Sequence, residues 1–233
     1  MELLRLALVG GLVGLDTTAA FQVMVSQPLV GGLLAGWALG DPWTGAFVGL
    51  LFQGLYLAEF PMGARLFPDG NMAAVQAAAL TVLARDDLSL GLGLSLLLAF
   101  FWSILAGVLG GYAIVWTRRL HGRYLPLFDR LVAADRRAFL DALCAALLLE
   151  NFAISAIFTM ILFVLGSMVL SLLAGLLPSA GLFEDWGLAL RGGLLGAGCA
   201  AIFVILLGKM QGRKRWLAAG AALLAAGIWV AGY

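Results

Sequence analysis

The sequence predicts an all-α integral membrane protein, a multi-span helical bundle with broken or re-entrant helices in its N-terminal third. Three observations carry that prediction. The chain is 63% hydrophobic and 12% charged, roughly half the charged fraction of an ordinary soluble domain, with a mean hydropathy of +1.04. Apolar runs recur from end to end between short polar clusters, which reads as a single membrane domain over residues 1–233. The stretch 21–76 is apolar yet interrupted by Pro28, Pro42, Pro61 and Pro68 and by nine amide or charged side chains. Proline removes a backbone donor, and lipid tolerates broken backbone only where protein or a watery cavity satisfies it.

Taken in order, residues 3–15 form an apolar segment too short to cross alone, expected to join 17–27 or to dip partway in. The first twenty residues resemble a signal peptide but lack a net positive start, since Glu2 offsets Arg5, so a retained first segment is expected. Apolar runs at 28–40 and 43–58 are separated by Gly40-Asp41-Pro42. Gly32, Gly36 and Gly40 recur every four residues, as do Gly45 and Gly49, a spacing that lets two helices approach closely. Residues 59–71 read as a polar connection and 72–84 as another short apolar run.

Residues 88–117 hold no charge over thirty positions and suffice for a tilted crossing. Residues 118–139 carry six arginines and His121 against Asp129 and Asp135, and read as one long cytoplasmic loop by the positive-inside rule. After Glu150 come thirty-three uncharged residues, more than one ordinary crossing needs, with bends expected at Gly166-Ser167 and Gly175. Glu184-Asp185 read as outside, the cluster Lys209 to Arg215 as inside, and 216–232 as a last span. Cys144 and Cys199 lack metal-ligand spacing and read as small helix fillers. No basic run is long enough for nucleic acid.

An ionised side chain costs about 2.5–3.5 kcal/mol at mid-bilayer, so those that persist are paired or functional. Asp16, Asp41, Glu59, Arg65, Asp69 and Glu150 are such residues. Asp41 equally suits a cap on a broken helix, and Arg65 with Asp69 a local ion pair. Amides and carboxylates suit an uncharged solute rich in hydroxyls, because they accept and donate several hydrogen bonds at once. Gln22, Gln27, Gln53, Asp69, Asn71 and Gln76 supply that chemistry. Phe52, Tyr56, Phe60 and Phe67 could stack on a sugar ring or simply pack. No metal spacing, nucleophile elbow or P-loop is present, so no cofactor, metal or catalytic residue is expected.

One ordered set of residues resembles a known family. Gln27-Pro28-Leu29-Val30, Gly40-Asp41, Thr44-Gly45, Gly63-Ala64 and Pro68-Asp69 are similar to the N-terminal signature of the mannose/sorbose-family IIC membrane subunit of the sugar phosphotransferase system (PTS), over roughly residues 14–84. The resemblance implies a permease subunit that translocates a hexose-type sugar with a IID membrane subunit, in a trimer of IIC–IID pairs. It also implies that soluble IIA and IIB phosphocarrier proteins supply the phosphate, and that the IIC chain has no catalytic residues of its own. A bacterial inner membrane, crossed several times, is the implied location. Carried over by position, Gly63, Ala64 and Asp69 match the family pattern. Gln53 stands where the family has a pocket carboxylate, Pro61 where it has an asparagine, and Gln27 where it has a basic residue.

The expected solute-binding set is therefore Gln22, Gln27, Asp41, Gln53, Gly63, Ala64, Asp69 and Asn71. Two other readings stay open: a non-transporting scaffold that docks soluble PTS proteins on 118–139, and a transporter that works alone.

Overall fold

A computed structural model describes residues 1–20, 22–56 and 67–176. Among these there are seven helices and no strand: α1 (Glu2–Thr18), α2 (Pro28–Leu39), α3 (Pro42–Tyr56), α4 (Gly70–Asp86), α5 (Leu92–Gly122), α6 (Leu125–Ala133) and α7 (Arg137–Leu176). The protein is an all-α membrane protein. Among the described residues, two stretches are long and apolar enough to cross a membrane, Leu92–Ala133 and Arg137–Leu176.

The short helices begin and end where local chemistry requires. Proline opens α2 at Pro28, where its missing N–H would have had no intrahelical partner. Gly40 closes α2 in the left-handed region at φ 96°, a conformation glycine adopts without a Cβ penalty. Pro42 then opens α3. The break expected at 40–42 is therefore present, and α2 and α3 fold back on each other as a hairpin. At about 18 Å, α2 does not reach across a hydrocarbon core of about 30 Å.

Glycine sets how close the arms come. A Cβ on Gly32 would lie 2.6 Å from the Gly49 Cα, and one on Gly36 2.6 Å from the Gly45 Cα. Gly40, of the same sequence series, packs against nothing and serves only the turn. A second glycine contact joins α1 to α7, where Gly10, Gly11 and Gly14 face Thr159, Phe152 and Ser155.

Helix α4 is the hub. Every residue from Met72 to Ala84 is buried except Leu83, which is partly so. Six of them are alanines, small enough for α2, α3, α5 and α7 to pack on it together. Phe52 packs on Tyr56 and Phe100, so this aromatic is core. The outer surface of α7 is apolar, with Ile157, Ile161, Leu165, Met168 and Leu172 exposed. That pattern suits lipid or a neighbouring helix.

Three expectations are corrected. The stretch 118–139 is helical over most of its length: α5 continues to Gly122, α6 follows, and α7 starts at Arg137. Its arginines are good helix formers on exposed surfaces, so a dense basic cluster does not by itself break a helix. Helix α7 runs forty residues without a break at Gly166-Ser167. Gly166 instead makes room for the Trp102 indole, 2.5 Å from where its Cβ would be. Helix α1 stops at Thr18, so of the two expectations for the first segment the continuation through 17–27 is the one overturned. Expectations for Glu59, Phe60, Pro61, Gly63, Ala64 and Arg65, and for all positions after Leu176, lie outside the described residues.

Candidate functional site

The described candidate residues of the N-terminal third fall into two places. Asp41 lies at the closed tip of the α2–α3 hairpin. Its Oδ1 accepts the Thr44 N–H at 3.0 Å and its Oδ2 the Thr44 hydroxyl at 2.6 Å. The Arg85 guanidinium donates to the same Oδ2 at 2.7 Å and to Thr44 Oγ1 at 2.6 Å. Asp41 thus caps α3 and ties the tip to the last turn of α4. It stands a full α2 length, about 18 Å, from Gln27, and the structure does not bring it to the other candidates.

The remaining described candidates gather at the opposite end, where the C-termini of α1 and α3 meet the N-termini of α2 and α4. Gln53 Nε2 donates to Gln27 Oε1 at 2.7 Å, and Gln53 Oε1 accepts the Leu29 N–H at 3.3 Å. Asp16 is buried and accepts the N–H groups of Val23 and Ser26 at 2.7 and 2.8 Å, which pins the 19–27 connection. Gln22 lies in that connection, exposed, at φ 50°. A Cβ on Gly31 would lie within 4 Å of Val13, Val75 and the Asn71 carbonyl, so α2 enters directly beside α4.

Asp69 is the N-cap of α4, 8% exposed, and its Oδ1 accepts from Asn71 and Met72. The extended segment ahead of it, Phe67-Pro68-Asp69, lies in a glycine trough on α5. Gly111 faces the Phe67 carbonyl, Gly110 the Asp69 Cβ, and the Gly107 carbonyl accepts the Asp69 N–H at 2.7 Å. Gly107 is fifteen residues from either end of α5, so the α4 break lies halfway along that helix. Broken backbone at that depth is satisfied by protein.

Asn71 Nδ2 donates to Thr17 Oγ1 at 3.3 Å, while its Oδ1 is buried with no hydrogen-bond partner. Gln76 is fully buried; its Nε2 donates to the Thr159 carbonyl at 2.9 Å and its Oε1 also has no partner. Asn151 Nδ2 donates to the Gly14 carbonyl at 3.3 Å. Asn151, but neither Asn71 nor Gln76, lines a cavity of about 30 Å³ whose polar lining also includes Thr17, Asp69, Ser155 and Thr159. That volume holds about one water. A second cavity of about 390 Å³ adjoins it toward α6, lined among others by Arg118, His121, Phe128 and Cys144.

Thr17, Ser155 and Thr159 escaped the sequence reading because single hydroxyls in apolar helices usually bond their own backbone. Thr159 does so, to the Ser155 carbonyl at 2.8 Å. The Gly107–Gly111 trough had a legible signal, small residues four apart on one face. The assembled end presents carboxylate and amide oxygens as acceptors and amide N–H groups as donors. Such a set can hold a neutral, polyhydroxylated solute by hydrogen bonds alone.

The family model described as the PTS system sorbose-specific IIC component matches residues 1–225. No curated protein matches the chain. A solved structure titled "Structure of membrane protein" is similar in fold, with a TM-score of 0.65 and 17% sequence identity, over 98% of this chain and 94% of that one.

Proposed function

The chain belongs to the sorbose-specific IIC family of the PTS, and from that premise we propose that it is the permease subunit that carries a hexose-type sugar across a bacterial inner membrane. As such it works with a IID membrane subunit, in a trimer of IIC–IID pairs, and with IIA and IIB proteins that phosphorylate the sugar. The chain forms a single multi-pass membrane domain, with the arginines of 118–137 on the cytoplasmic side.

The observation that carries this reading is the convergence of four helix ends halfway along α5. Two of them are helix N-termini whose first N–H groups are taken by Asp69 and Gln53, which brings those polar side chains to the point of convergence. Broken helices meeting at mid-depth are how transporters build solute sites. Here they present Gln27, Gln53, Asp69 and Asn71, and an Asn71 oxygen without a partner. Gln53 donates as well as accepts, which the carboxylate usual at this position in the family does not, so the hydroxyl pattern it selects differs. Gln22, Gly63 and Ala64 flank the same segments and complete the proposed contact set, and Asp41 holds the hairpin tip.

Uptake of a panel of radiolabelled hexoses tests the proposal in vesicles holding the IID, IIA and IIB partners. Asp69→Asn keeps the cap on α4 but removes the charge, and Asn71→Ala removes the amide. Each is expected to lower uptake at least tenfold, the cost of unpairing a hydroxyl in a buried site. Unchanged uptake in both would remove the site from this end of the molecule.

A further inference from the structure

The small cavity that Asp69 lines and the larger one toward α6 share four lining residues: Thr18, Ile114, Thr117 and Asn151. These four therefore form a neck. On one side is the small chamber that Asp69 lines. On the other is a space some ten times larger, bounded by Arg118 and His121 and by Phe128 of α6. The chamber is far too small for a hexose, whereas the outer space is large enough for one. A solute held at the α4 break can therefore reach the α6 end only if the neck opens.

Asn151 is the residue suited to move. It is 4% exposed, sits on α7, and donates to the backbone of Gly14 on α1 at 3.3 Å, near the upper limit for an N–H···O bond. Two of the other three close the neck with groups that have less to release. Ile114 is apolar, and Thr117 donates its hydroxyl to the Ala113 carbonyl of its own helix at 2.9 Å. Glycines leave α1 and α7 in contact along this seam, with Gly14 against Ser155 and Gly10 against Thr159. The Phe152 ring is set into the same seam against Gly11, and the Asn151–Gly14 bond beside it is the polar tie across the seam next to the neck.

Resting on the solute-site reading above, we infer that the neck is a gate. The larger cavity is the vestibule on the α6 side, and the Asn151–Gly14 hydrogen bond holds the closed state. When that bond breaks, α1 and α7 part at the neck and the Asp69 chamber joins the vestibule. The freed amide can then donate to a passing hydroxyl.

Thiol accessibility tests the gate without any sugar. Thr17→Cys places a thiol in the chamber, in a protein that also carries Cys144→Ser and Cys199→Ser. Arg130→Cys, in the same background, marks the face that carries α6. The probe is a membrane-impermeant methanethiosulfonate, applied to vesicles of each orientation. The chamber thiol should react from the same face as the α6 thiol. Asn151→Phe should slow the chamber thiol by at least tenfold, and Asn151→Ala should speed it about fivefold, the population shift that one net hydrogen bond commands.

A parallel protein keeps Cys144, which lies on the vestibule side, as its single thiol. There Asn151→Phe should leave the reaction rate unchanged. Reaction of the chamber thiol from the opposite face, or rates unmoved by both substitutions, would overturn the proposal. Equal slowing of the chamber thiol and of Cys144 would overturn it too, because the obstruction would then lie outside the neck. A negative result here strikes the gate, whereas unchanged uptake with Asp69→Asn strikes the solute site.

Discussion

Arg85 shows what a single side chain does at the hairpin tip. Its guanidinium meets Asp41 Oδ2 at 2.7 Å and the Thr44 hydroxyl at 2.6 Å, with both charged side chains about a third exposed. Arg85→Ala leaves the Asp41 carboxylate without its counter-charge and is expected to cost about 1–3 kcal/mol. In a double-mutant cycle, Asp41→Asn should recover part of that loss. Thermal unfolding in detergent micelles reads both effects; an Arg85→Ala protein as stable as the parent would show that the pair contributes nothing. Such polar residues were visible in the sequence because each stands out against an apolar run that lipid would otherwise favour unbroken. Which of them share a place was not visible. Asp41 and Gln27 stand fourteen positions apart in one polar stretch, yet a whole helix separates them. Arg85 finds its partner forty-four positions away, and sequence spacing carries no record of such a pairing.

At the scale of elements, the hairpin is held together by the absence of side chains. A Cβ on Gly45 would lie 2.7 Å from the Gly36 Cα and closer still to the Gly32 carbonyl oxygen, backbone atoms that cannot rotate away. Gly45→Ala is therefore expected to destabilise the fold by about 2 kcal/mol or more. Gly40→Ala meets no atom within 4 Å but must adopt φ 96°, and is expected to cost only about 1 kcal/mol. Urea or SDS titration of both variants checks the order, and a Gly40 cost larger than that of Gly45 would contradict it. The break and the close pairing were legible from Gly-Asp-Pro and from the four-residue glycine spacing. The length of α7 was not. A helix is the form in which lipid-exposed backbone satisfies itself, so Gly166 does not bend it, and its partner Trp102 lies on a different helix.

Among the described residues, one arrangement relates the hairpin tip, the arginine-rich helices and the candidate site. Asp41 and Arg85 mark one end, six arginines between 118 and 137 mark the other, and the glutamine, asparagine and aspartate side chains meet between them, halfway along α5. The membrane class and the family were legible in the sequence from composition and from the order of short motifs. The convergence of four helix ends was not, because it depends on α5 supplying the trough that seats Phe67 to Asp69. The central claim is that this convergence binds the sugar. Isothermal titration of a hexose panel into the purified IIC–IID pair tests it most directly, comparing the parent with Asn71→Ala and Gln53→Ala. At least one hexose should bind the parent and lose about tenfold or more in affinity in each variant. Equal affinity in all three proteins would contradict the claim.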